Sequence, residues 1–300
     1  MTNPFYEYSP IVRRPPLQLP GGARLALWFG VAFEHYPFGK PGLSLVPYTA
    51  DLLPDPMNYG WRDYGPRVGA FRLMDILDQA GIPVTGIVNS EACTEYPDLI
   101  EEALQRNWTS WVAHGDNNST WQVGLERDVE VDLVRKVTDT IAAAIGRPPA
   151  GWIGPALTAT MNTFDVLAEV GYKYSIDWAH DDQPFWLNVS SGSLASIPYS
   201  RELNDVVAFM LHHETGPEFA QSILDAVDQM LADSGDYGRV LGIGFHPFLV
   251  GQPWRAIHLA RALEQLHDRE GVWLTTSDAV ADWFAESSGA GASPQRAQRQ

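Results

Sequence analysis

The chain has 300 residues, carries 37 acidic against 20 basic side chains for a formal net charge of -17, and contains one cysteine. The charge is spread rather than blocked, which argues against nucleic acid and anionic membrane as partners; a single thiol excludes an intramolecular disulfide and four-thiolate zinc or iron–sulfur sites. No segment has the apolar core of a signal peptide or the unbroken length of a membrane span, so a cytoplasmic protein is expected.

Residues 1–20 read as an extended arm, because Pro15-Pro16 and Pro20-Gly21-Gly22 interrupt regular structure before the first strand. Ala26-Leu27-Trp28-Phe29-Gly30-Val31-Ala32-Phe33 is then an apolar run of strand length that stops at Glu34-His35. This is the pattern of a strand buried on both faces that delivers polar groups at its C-terminal end. Residues 36–67 hold Pro37, Gly39, Pro41, Gly42, Pro47, Pro54, Pro56 and Gly60 and read as one long loop, of the kind that serves as a lid or a binding loop.

Helical spacing runs from Val68 to Gly81, and Ile82 to Val88 reads as a second buried strand with Pro83 near its start. Further helices are expected over 96–105, 126–145, 164–169, 219–231, 257–267 and 279–284. Strands are expected before His114 and over 174–176, 195–199, 240–245 and 271–275. Such alternation is the signature of a parallel barrel or a doubly wound sheet. No Ser/Gly/Pro-rich linker divides residues 21–286, so one domain is expected there, followed by a disordered tail over 287–300. The eleven tryptophans suit core packing or contacts between subunits.

No G-x-G-x-x-G follows a strand, and neither a Walker lysine motif nor a G-x-S-x-G elbow is present. What remains is a set of acids and histidines at strand ends. Trp111-Val112-Ala113 stops at His114-Gly115-Asp116, with Asn118 close behind, and Val240 to Phe245 stops at His246-Pro247. Asp177, Asp181 and Asp182 follow the strand through 174–176. Carboxylates and imidazoles around one mouth suit hydrolysis, in which a base activates water and an acid protonates a leaving nitrogen. Glu34, between Phe33 and Tyr36, is the expected base with a raised pKa. His246 is the expected acid, and Asp181 and Asp182 are expected to orient it or to bind substrate. His35 and His114, with Asn118 or Asp116 and water, alternatively suit one zinc-like divalent ion; a metal-free site is the other expectation. His180, His212, His213, His258 and His267 read as surface or capping histidines.

The order of these segments resembles the polysaccharide deacetylase (NodB-homology) superfamily, above all its intracellular branch of allantoinases and metal-independent cyclic imidases. The marks are Gly65-Pro66-Arg67-Val68-Gly69-Ala70-Phe71-Arg72, Ile82-Pro83-Val84-Thr85, Gly151-Trp152, Asp181-Asp182-Gln183-Pro184-Phe185-Trp186, Ile197-Pro198-Tyr199 with Asn204-Asp205, and His246 before Gly251-Gln252-Pro253-Trp254-Arg255. The resemblance implies an α/β fold, a distorted (β/α) barrel with about seven parallel strands, assembled as a homo-oligomer (dimer or tetramer). It also implies hydrolysis of a carbon–nitrogen bond other than a peptide bond in a small-molecule substrate. By position, Glu34 falls on the catalytic base, His35 on the metal-binding aspartate, His114 and Asn118 on the two histidines of the metal motif, and His246 on the general acid. Trp152, Asp182 and Asn204, which lie in the quoted motifs, are expected to bind substrate. The superfamily's metal triad would thus read His35-His114-Asn118, and the arginine of its third motif is not evident near Gly151-Trp152. Three functions are therefore expected in turn: hydrolysis of a small cyclic amide, imide or ureide; N-deacetylation of an acylated, amino sugar-like amide; or binding by a barrel whose catalysis is impaired.

Overall fold

The computed structural model describes residues 3–40, 46–235 and 237–288. Nine strands occur among them: β1 (Leu25–Phe33), β2 (Val84–Val88), β3 (Ser110–Ala113), β4 (Gly151–Trp152), β5 (Tyr174–Ser175), β6 (Phe185–Trp186), β7 (Ala195–Ser196), β8 (Arg239–Phe245) and β9 (Val272–Thr275). Their order is β6-β7-β5-β4-β3-β2-β1-β8, with β9 beside β1. Only β6 with β7 is antiparallel. The run from β7 to β8 is a curled parallel sheet, which is the expected distorted (β/α) barrel.

Strand β1 is the pivot. One edge pairs with β9 over Leu25–Trp28 and then with β2 over Phe29–Phe33, while the other pairs with β8 over Leu25–Val31. On the far side the barrel is drawn shut by single bonds rather than a ladder: Ser200 N–H to Gly242 O and Val240 N–H to Asp182 O, both 2.8 Å.

All nine residues of β1 are buried, as an apolar run predicts for a strand covered on both faces. Leu25, Leu27, Phe29, Val31 and Phe33 join the layer beneath the helices. Ala26 and Trp28 join the barrel interior with Ile87, Val112, Ile153, Tyr174, Ile176, Ile197 and Tyr199. The interior rings need glycine opposite them: a Cβ on Gly242 would lie 2.2 Å from Trp28, and one on Gly244 2.2 Å from Tyr199 Oη. Gly242→Ala is therefore expected to destabilise the fold by about 1–3 kcal/mol, read as a lower urea midpoint at unchanged slope.

The helices Ala70–Gln79, Pro97–Gln105, Arg127–Ile145, Thr163–Val170, Gly216–Ser234 and Pro253–Leu266 lie where apolar spacing places them. Gly146 and Gly171 end two of them with φ of 80° and 107°, the left-handed cap that glycine adopts without a Cβ penalty.

The 36–67 stretch departs from expectation, because Pro56–Tyr64 is a helix that runs into a π-helical turn at Gly65–Gly69. Asp55 caps it by accepting the Asn58 N–H, and Pro56 sits in its first turn, but prolines upstream and Gly60 within obscure the periodicity. Residues 41–45 of the expected loop lie outside the described residues. The expected tail also begins too early, since the helix Ser277–Ser288 includes Ser287; residues 289–300 lie outside the described residues. No described helix is long and apolar enough to cross a membrane.

Candidate active site

Parallel strands deliver the residues just past their C-terminal ends to one face of the barrel. Glu34 follows β1, His114 follows β3 and His246 follows β8. All three line one cavity of about 530 Å³ together with Tyr36, Asn118, Tyr199, Arg201 and Asn204, and its other walls include Ile87, Ile153, Leu157, Val207, Met210 and Phe248.

Glu34 is the centre of the array. Its Oε1 lies 3.3 Å from His114 Nε2 and 3.4 Å from His246 Nε2. Its Oε2 accepts a 2.7 Å hydrogen bond from Tyr36 Oη, which in turn accepts one from Asn118 Nδ2 at 3.0 Å. His114 donates from Nδ1 to the Ile153 carbonyl at 2.9 Å, which orients the ring and turns Nε2 toward Glu34. His246 is held from the other side by Asp205: Nδ1 to Oδ1 at 2.6 Å, and its backbone N–H to Oδ2 at 2.8 Å. Asp205 is completely buried.

Burial acts against the charge on Glu34, yet the opposing pull of His246, with hydrogen bonds from His114 and His246, leaves its carboxyl well below the usual carboxylate range. The raised value expected from sequence counted desolvation alone and is corrected here. Burial likewise opposes the charge on His246, and Glu34 and Asp205 outweigh it, pushing the imidazole up to about 10. At neutral pH the pair is thus carboxylate and imidazolium, an acceptor and a donor of protons in one cavity. Beneath them Asp177, raised to about 6 by burial, accepts from Gly154 N–H and Ser175 Oγ, both at 2.7 Å.

The sequence motifs around 65–72 acquire a physical reason here. A Cβ on Gly69 or on Gly251 would lie 2.0 or 2.2 Å from the Pro247 carbonyl oxygen, so glycine lets this turn press against the loop that carries His246. Arg72 Nη1 ties the same loop by bonding the Gly251 carbonyl and Tyr64 Oη.

Several expected site residues lie elsewhere. Asp181 is clasped by Arg14 of the N-terminal arm, with contacts of 2.6 and 2.7 Å, and Asp182 pairs with Arg239 at 3.1 Å. Arg239 begins β8 and His246 follows its end, about 20 Å away at the rise of a strand. Asp205 takes the orienting role that had been expected of Asp181 or Asp182. Trp152 does not face the cavity: strand alternation turns it outward beneath the helices, edge-on to Tyr172. His35 turns away as well, with Nδ1 3.0 Å from Tyr96 Oη and Nε2 3.7 Å from Glu91. Asn204 lines the cavity and donates to Tyr199 Oη at 2.6 Å. Asn89, which follows β2 and was passed over, organises the mouth: it accepts the His35 N–H and donates to the His114 carbonyl and to Asn118 Oδ1. The strand-end rule that selected Glu34 would have found it. Because Asp181 is remote, Asp181→Asn is expected to change turnover less than about twofold, any loss appearing in thermal stability instead.

Comparison with known proteins agrees with this fold. The polysaccharide deacetylase family model matches residues 59–175. A solved structure from Pseudomonas aeruginosa PAO1 classed with the polysaccharide deacetylases superposes with a TM-score of 0.81 at 23% identity, covering 91% of this chain and 95% of that one. Residues 59–175 thus match a polysaccharide deacetylase domain, and the chain as a whole takes the fold of these proteins. The structure of PuuE allantoinase shares this superfamily fold with a TM-score of 0.81 at 24% identity, over 91% of this chain and 94% of its own. A Schizosaccharomyces pombe relative classed with the polysaccharide deacetylases is 25% identical over 293 residues, 89% of this chain and 87% of its own.

The residues present do not fit the superfamily's metal. Of the three counterparts His35, His114 and Asn118, His35 is engaged outside the cavity, and the Asn118 amide oxygen already accepts from Asn89. Among the described residues no group of three or more His, Cys, Asp or Glu side chains is disposed to hold a metal ion.

Proposed function

We propose that this protein hydrolyses a carbon–nitrogen bond in a small cyclic amide, imide or ureide, using Glu34 as base and His246 as acid without a resident metal. The observation that carries this reading is the Glu34–His246–Asp205 array at the floor of a cavity whose volume of about 530 Å³ lies in the range of small-molecule sites.

Glu34 takes a proton from water, and the oxygen adds to the substrate carbonyl carbon. His246 then gives its proton to the departing nitrogen as the carbon–nitrogen bond breaks, and the proton on Glu34 returns to His246 or to solvent. A carboxylate held so far below its usual range is a weak base at rest. Once His246 has passed its proton to the leaving nitrogen, the burial that opposes the Glu34 charge is less offset, which favours keeping the water proton on Glu34 until it is handed on.

The family description favours a second reading, N-deacetylation of an acylated amide. Incubating the purified protein with cyclic imides, cyclic ureides and acetamido sugars separates the two. Ring opening supports the proposal, whereas acetate release without ring opening replaces it.

A further inference from the structure

A second cavity, of about 260 Å³, lies beside the catalytic one, with Tyr36 as a shared wall. It is lined by Lys40 and Arg62, by Asp51 and Asp55, and by apolar groups that include Phe38 and Leu53. Arg62 is only 8% exposed, yet among the described residues its guanidinium makes no hydrogen bond or ion pair, and its Nε is buried without a partner. The guanidinium carbon lies 4.1 Å from the centre of the Tyr36 ring, over its face. A cation–π contact offsets only part of the cost of burying a charge without a counter-ion. The acids of the cavity do not supply that counter-ion: Asp55 accepts from Asn58 N–H at 3.1 Å and Asn58 Nδ2 at 2.7 Å, and Asp51 is exposed on the rim.

We infer that this cavity binds a small organic carboxylate, its oxygens on the Arg62 guanidinium, its charge also met by Lys40, and its apolar body against Phe38 and Leu53. A guanidinium presents parallel N–H donors that match a carboxylate two by two. The two acids on the lining disfavour a phosphate dianion, and the apolar wall favours a carbon skeleton behind the charge. Tyr36 lines both cavities, but the ligand is met by Arg62 and Lys40 rather than by Glu34 and His246, so the inference does not depend on the reading of the catalytic site.

The test is calorimetric titration of the full chain with butyrate, with its uncharged counterpart butyramide, and with inorganic phosphate, all at one ionic strength set with chloride. Saturable one-to-one binding of butyrate is expected, at least tenfold tighter than butyramide or phosphate. It should weaken tenfold or more in Arg62→Met of unchanged circular dichroism, and about fivefold in Lys40→Glu. The Lys40 substitution lies on the exposed rim and serves if the Arg62 variant fails to fold. No saturable butyrate binding, equal binding of butyramide, tighter binding of phosphate, or affinity unchanged in these variants would overturn the inference.

Discussion

Glu34→Gln is expected to lower kcat/KM by about 10²–10⁴, the range for losing a general base. The amide is nearly isosteric and still accepts from Tyr36 Oη, so the loss should come from the missing base rather than from an altered cavity. His246→Ala should cost a similar factor. The double variant should cost far less than the product of the two, since base and acid act on one proton circuit. Near-wild-type turnover in Glu34→Gln would remove this residue from the chemistry.

The second large effect is expected at Asp205. Asp205→Asn keeps an oxygen for the His246 backbone N–H but removes the charge that, with Glu34, holds the imidazole near 10. His246 must be protonated to act as the acid, so activity falls as pH rises through its pKa. The alkaline limb of kcat/KM should lie near pH 10 in the wild type and move down in Asp205→Asn, with kcat falling about 10–100-fold at pH 8. An unmoved limb would mean that another group sets it. Stability carries the same sign. The folded value of His246 exceeds its ordinary 6.5, so its pairing stabilises the fold in full below pH 6.5 and is lost as pH rises through about 10. Glu34 works the other way: its contribution is present above the ordinary carboxylate range and is lost as pH falls through its lowered value.

Much of the barrel was legible because its signals are local. An apolar run that stops at Glu34, at His114 or at His246 announces a buried parallel strand and places the next side chain at the catalytic rim. What the sequence hid is directional. Residues 34 and 35 are equally polar and adjacent, yet alternation sends Glu34 into the barrel mouth and His35 outward to Tyr96. The same alternation hides Trp152 beneath the helices. Asp205 and Asp181 look alike in sequence, since each is an acid beside another polar residue with no strand end immediately before it. Only the closure of the barrel brings one onto His246 and leaves the other to Arg14. The low pKa of Glu34 was illegible for the same reason: burial can be guessed from neighbours in sequence, but the two imidazoles that overcome it arrive from β3 and β8.

The measurement that tests the account most directly is turnover by protein freed of divalent metal. Dialysed against chelator and shown by elemental analysis to contain less than about one metal per ten chains, the wild type is predicted to open five- and six-membered cyclic imides or ureides at an undiminished rate. Added zinc should not raise that rate, because among the described residues no donor triad is disposed to hold the ion. Activity that vanishes with the metal and returns stoichiometrically with zinc would contradict an acid–base site built from Glu34 and His246 alone.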